Sequence, residues 1–246
     1  MSRLIRAAAA CLLLAAAARG HTGQEPAATA SAKRPFVPTS AYAVRHIRGW
    51  TVRVNRALLK DRKDLGGPTL DLLDAKLFEI VRAVPPRAVE QLRRVPIWLG
   101  VDDGHAPCAE YHPSRQWLKD NGYNPDKAKC VEIGNALRFI AWSKDQPSMI
   151  LHELAHAYHD QVLGFDNAEV VAAYEQARRA GIYEAVLYLN GRTQRHYALT
   201  DAKEYFAELT ESFFGTNDFY PFVRAELKVH DPAGYGLIAR MWGANQ

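Results

Sequence analysis

The chain has 246 residues, 48% of them hydrophobic and 10% aromatic, with a formal net charge of +4. That is enough apolar content for one substantial core, and it excludes a disordered, collagen-like or repeat protein.

Residues 1–20 place Arg3 and Arg6 before an apolar run, and Ala18-Arg19-Gly20 offers small residues for cleavage. This is the pattern of a secretory signal peptide, and the run is too short to span a bilayer. Export to the periplasm or the medium is expected, without stable membrane insertion. Removal of Arg3, Arg6 and Arg19 leaves 28 basic against 27 acidic side chains. Arg45, Arg48, Arg53 and Arg56 remain as a group, but Asp61 and Asp64 follow them and no nucleic-acid motif frames them, so they read as a solvated face. No nucleic-acid partner is expected. Residues 21–40, rich in Ala, Thr, Ser and Pro, read as a flexible leader, and residues 41–246 as a single domain.

Within that domain, residues 50–55 and 95–101 alternate apolar and polar side chains and are expected as strands. Between them, Leu70, Leu73, Leu77, Ile80 and Val81 recur at helical spacing, which predicts a helix over 69–84 capped by Thr69. Cys108 and Cys130 remain after signal cleavage. Two cysteines in an exported domain suggest one disulfide, with two unlinked buried thiols as the alternative. His105 and His112 flank Cys108, and Asp102 and Asp103 precede it, yet Gly104, Pro107 and Pro113 make this stretch an irregular loop rather than a second metal site. Residues 131–142 suit a further strand, with a helical reading open from Asn135. Helices follow over 146–163, with Asp145 as cap and Gly164 as stop, and over 167–180, closed by Gly181. Residues 183–189 and 193–199 flank Asn190-Gly191, a hairpin signal, before a helix over 201–214 and short helices over 222–242. The mixed order makes the fold class α+β.

The helix over 146–163 carries His152-Glu153-Leu154-Ala155-His156. Four residues advance a helix by about 400°, so two imidazoles lie one turn apart on one face, able to hold one Zn²⁺. Glu153 beside the first of them is placed to take a proton from an activated water. A catalytic zinc needs a third protein ligand. His159 lies about 10.5 Å along the axis from His152, too far to share the ion, and reads as an outer or surface residue. The helix over 201–214 offers Glu204, Glu208 and Glu211 within about 60° of one another. By itself such a face is solvated, and Asp201 with Glu204 could be a capping pair. The unmet need for a carboxylate favours Glu204 as ligand, with Glu208 hydrogen-bonding a liganding imidazole from behind.

The run Tyr197-Ala-Leu-Thr-Asp-Ala-Lys-Glu204-Tyr-Phe-Ala-Glu208, taken with the preceding HExxH, resembles the lethal-factor family of metalloendopeptidases, which includes the bacterial Pro-Pro endopeptidases. In that family a Tyr stands seven residues before the glutamate ligand, and an aromatic pair and a second Glu follow; Tyr197, Glu204, Tyr205-Phe206 and Glu208 occupy those places. The likeness covers residues 147–214. It implies a gluzincin: a small zincin-like α+β domain with one Zn²⁺ per chain on His152, His156 and Glu204, Glu153 as general base, and Tyr197 as a catalytic phenol. The expected substrate is a peptide or protein. The resemblance does not imply a preference for proline, and no domain that would deliver a toxin into cells is recognisable. A zinc hydrolase of another amide or ester, and a non-catalytic module braced by zinc, are the alternative readings.

Overall fold

The computed structural model describes residues 35–104 and 108–244, so the expected signal peptide, most of the expected leader and His105 lie outside the described residues. After a 3-10 turn at Thr39–Ala41, strands β1 (Tyr42–Ile47) and β2 (Trp50–Asn55) make a hairpin. Arg48 and Gly49 turn it with φ of 50° and 93°, the positive pair that suits the twist of a two-residue turn. Helices α1 (Arg56–Lys60), α2 (Lys63–Ala83) and α3 (Pro86–Leu92) lead to β3 (Ile97–Leu99) and β4 (Ala109–Tyr111). Then come α4 (Arg115–Asn121), β5 (Val131–Ile133), α5 (Ala136–Trp142), α6 (Met149–Tyr158) and α7 (Ala168–Ala180). A two-residue ladder of β6 (Val186–Leu187) with β7 (Thr193–Gln194) precedes α8 (Ala202–Phe214), α9 (Arg224–His230) and α10 (Pro232–Met241).

The main sheet has the order β1-β2-β3-β5-β4, with β2, β3 and β5 parallel and both edges antiparallel. The protein is therefore α+β with a mixed sheet of five strands. Alternation sets the two faces. Val52, Val54, Ile97, Leu99, Val131 and Ile133 join a core shared with α2, α5, α6 and α8, whereas Trp98 packs with Tyr42 and Cys130 in a separate small cluster.

Several local expectations change. Helix α2 begins at Lys63 rather than Thr69, although Gly66-Gly67-Pro68 reads as a break. The reason is tertiary: a Cβ at Gly66 would stand 2.0 Å from the Leu58 carbonyl oxygen, so only glycine lets α1 approach there. Thr69 is buried and donates to Leu65 O at 2.7 Å instead of capping. The segment over 131–142 is both strand and helix, because the Asn135 side chain accepts from Arg138 N at 2.9 Å and starts α5. Residues 37–39, expected in the leader, are tied to the body through Asn124 Nδ2 to Val37 O at 3.1 Å and Thr39 Oγ1 to Asp126 at 2.7 Å.

The expected disulfide is absent. Cys108 O accepts from Gly134 N and Cys130 O accepts from His112 N, which puts the two cysteines at opposite ends of the β4–β5 ladder. Four residues of strand separate them by about 13 Å, against an upper limit of about 7 Å between bridged Cα atoms. Cys108 lies 3.2 Å from Met149 Sδ in the main core, and Cys130 belongs to the small cluster with Trp98.

Candidate metal centre

Helix α6 buries Leu151, Leu154, Ala155 and Tyr158 in the core, which turns His152 and His156 to the other side, toward α8. It starts after Ser148 rather than Asp145 and runs on as a π turn, His159–Leu163, to Gly164. At the head of α8 the Asp201 side chain accepts from Lys203 N at 2.8 Å and Glu204 N at 3.0 Å. This cap fixes the first turn and leaves the Glu204 carboxylate free to reach across to α6.

Three ligand atoms converge there. His152 Nε2 and His156 Nε2 are 3.0 Å apart, and Glu204 Oε2 is 3.1 Å from the first and 3.3 Å from the second. A tetrahedral ion with bonds of about 2.0 Å has ligand-to-ligand edges of about 3.3 Å, so this donor set fits Zn²⁺ in both chemistry and spacing. Burial disfavours a charged His152, but Glu204 and Glu211 outweigh it and raise the imidazole well above its ordinary value. Burial likewise opposes ionised Glu204, yet His156 and His152 hold it far below the usual carboxylate range. A dication bound there would compete with protons for these donors.

The acidic face of α8 is turned inward. Glu208 is 3% and Glu211 4% exposed. Glu208 was expected to hydrogen-bond a liganding imidazole, but at His152 Glu211 is the closer partner: its Oε1 is 2.7 Å from Nδ1, and Glu208 Oε1 is 3.7 Å away. Glu208 is drawn aside by Asn217, whose Nδ2 donates to its Oε2 at 2.9 Å and to its backbone oxygen at 2.8 Å. Burial, with Glu211 nearby, raises Glu208 well above its ordinary value, and the same two causes push Asp218 up to about 7.

Glu153 accepts from Tyr111 N of β4 at 2.7 Å, and burial raises its carboxyl. The segment over 193–199 is extended only at β7, and Tyr197 opens a 3-10 turn, Tyr197–Leu199, that packs on α8. Tyr197 is half-buried, and its neighbour His196 is buried with Nδ1 accepting from Ala198 N at 3.1 Å. His159, expected as an outer or surface residue, is fully buried against Phe165 and Phe206, and burial with His156 nearby pushes its imidazole down to about 4.

A second group, Glu110, His112 and Glu132, also brings ligand atoms together on the far face of the sheet. His112 Nε2 is 2.7 Å from Glu132 Oε2, but the Lys127 ammonium contacts Glu132 and lies 2.5 Å from Asp103 Oδ2. Tyr42 OH donates to the same Asp103 oxygen at 2.9 Å. Of the residues weighed as a second metal site, Asp103 and His112 therefore enter an ion network already centred on a cation.

No family model and no curated protein matches the chain. Among solved structures it is similar to the Pro-Pro endopeptidase of Paenibacillus alvei at 19% identity, over 68% of this chain and 88% of that one, with a TM-score of 0.38. A superposition this loose carries neither fold nor activity across, so the functional reading stands on the site itself.

Proposed function

We propose that the chain is an exported zinc-dependent metalloendopeptidase of gluzincin type. The observation that carries this reading is the convergence of His152 Nε2, His156 Nε2 and Glu204 Oε2 to within 3.0 to 3.3 Å, with a carboxylate one residue from the first ligand. His152, His156 and Glu204 would hold one Zn²⁺, which supplies Lewis acidity that polarises a carbonyl and acidifies water.

The chain's own groups do the rest. Glu153 takes a proton from the attacking water as its oxygen bonds to the scissile carbonyl carbon, and delivers that proton to the leaving nitrogen as the C–N bond breaks. Tyr197, by its place before Glu204, donates a hydrogen bond to the oxygen that gains negative charge. Glu211 accepts from His152 Nδ1–H, which fixes the tautomer that leaves Nε2 free to bind. A closed structural zinc site has no use for Glu153.

The test is cleavage of a random quenched-fluorescence peptide library by zinc-loaded protein beside Glu153→Gln. Cleavage that falls by about 10² to 10⁴ in the variant, at equal zinc content, is expected. No cleavage by the zinc-loaded wild type, or equal cleavage by both proteins, contradicts the proposal.

A further inference from the structure

Strand β4 has three residues and a single partner strand, β5. So short an edge strand is held weakly by its own ladder. Its free side meets α6 through one backbone bond, from Tyr111 N to Glu153 Oε2 at 2.7 Å. The side chain of the same residue makes a second attachment farther along the helix. Tyr111 OH donates to Asp160 Oδ2 at 2.6 Å and accepts from Gln161 Nε2 at 3.0 Å, and Lys129 pairs with Asp160.

Asp160 and Gln161 belong to the π turn that continues α6. Glu153 and Asp160 are two helical turns apart on one face, about 10 Å along the axis, so Tyr111 runs from one to the other like a strut. The far end is braced to the sheet as well: Lys129 N donates to His112 O at 2.6 Å, and Gln161 Nε2 reaches Lys129 O at 3.4 Å. Lys129 itself has a φ of 61°, a left-handed conformation that a non-glycine residue keeps only where its surroundings hold it. The phenol is not needed for packing, since the Tyr111 ring is already buried in the core.

We infer that Tyr111 is a positioning residue: its phenol, fastened to Asp160, Gln161 and Lys129, holds the Tyr111 amide against the Glu153 carboxylate and so sets where the general base stands. This role rests on the peptidase reading only for its effect on turnover. The hydrogen bond it maintains can be read without any activity.

The experiment is Tyr111→Phe in the zinc-loaded full chain, with two readouts. The first is amide hydrogen exchange by NMR. Exchange at residue 111 accelerates by about tenfold or more, while the His112 amide, which donates to Cys130 O at 3.1 Å within the ladder, keeps its protection. The second is cleavage of the best peptide from the library. Its kcat falls on the order of tenfold with KM and zinc content unchanged, within the range that a misplacement of about 1 Å can cost. Asp160→Asn, which keeps an oxygen acceptor for the phenol, lies between wild type and Tyr111→Phe in both readouts. Unchanged exchange at residue 111, or acceleration spread equally to His112, overturns the inference, as does an unchanged kcat in an active enzyme. A wild type that cleaves nothing sinks the peptidase reading instead, and the exchange data still decide whether the phenol holds the amide.

Discussion

Two buried groups in this protein use the same residue types and do different things. On the α6–α8 side, two imidazoles and a carboxylate point their lone pairs at one another, and among the described residues neither a lysine nor an arginine pairs with any of these three. On the far face of the sheet, His112, Glu110 and Glu132 also gather, but Lys127 stands beside Glu132 and Asp103. There, burial works against ionised Glu132, and His112 and Lys127 overcome it and push its carboxyl down to about 2. Histidine and glutamate in proximity do not by themselves define a metal site. What separates the two groups is whether the protein has already supplied the central cation.

Removing that cation should give the largest effect. Lys127→Met leaves Asp103 and Glu132 buried beside each other without their ammonium, a loss of about 3 to 5 kcal/mol in folding stability. Urea denaturation of the zinc-loaded protein measures it, and zinc content per folded chain should not change. A variant as stable as wild type would show that the network is hydrated and not held by Lys127.

A smaller effect is expected behind the proposed zinc site. Glu211→Gln keeps the shape of the side chain but weakens its hold on His152 Nδ1, and zinc affinity should fall by about 10- to 100-fold. Glu208→Gln should cost less, because Glu208 is 3.7 Å from that nitrogen and bonded to Asn217. Competition against a chelating dye ranks the two, and the reverse order would return the orienting role to Glu208.

These residues also mark how far the sequence could be read. Helix α8 and its Asp201 cap were legible because capping is local, and Glu204 stood out because two histidines on α6 required a third donor. Periodicity could not choose between Glu208 and Glu211, since positions four and seven residues on share one face. The choice is made by Asn217, which comes from a loop beyond the helix. The same limit explains the cysteines, whose spacing carries no record of their placement at opposite ends of a ladder. It explains Gly66, which sits inside a helix where the Leu58 carbonyl of α1 leaves no room for a Cβ. Tyr197 was expected on an extended strand, but the hairpin shrinks to two residues a side and the chain turns before α8. The role of Tyr111 was not legible, since its contact with Glu153 is made by a backbone amide that every residue but proline carries.

The most direct test is zinc binding by the purified protein, measured by elemental analysis beside Glu204→Ala and His112→Ala. About one zinc per chain is expected, lost or much weakened in Glu204→Ala and retained in His112→Ala. Full zinc in Glu204→Ala, or zinc lost in His112→Ala while the chain stays folded, would contradict it and move the metal centre to the other face of the sheet.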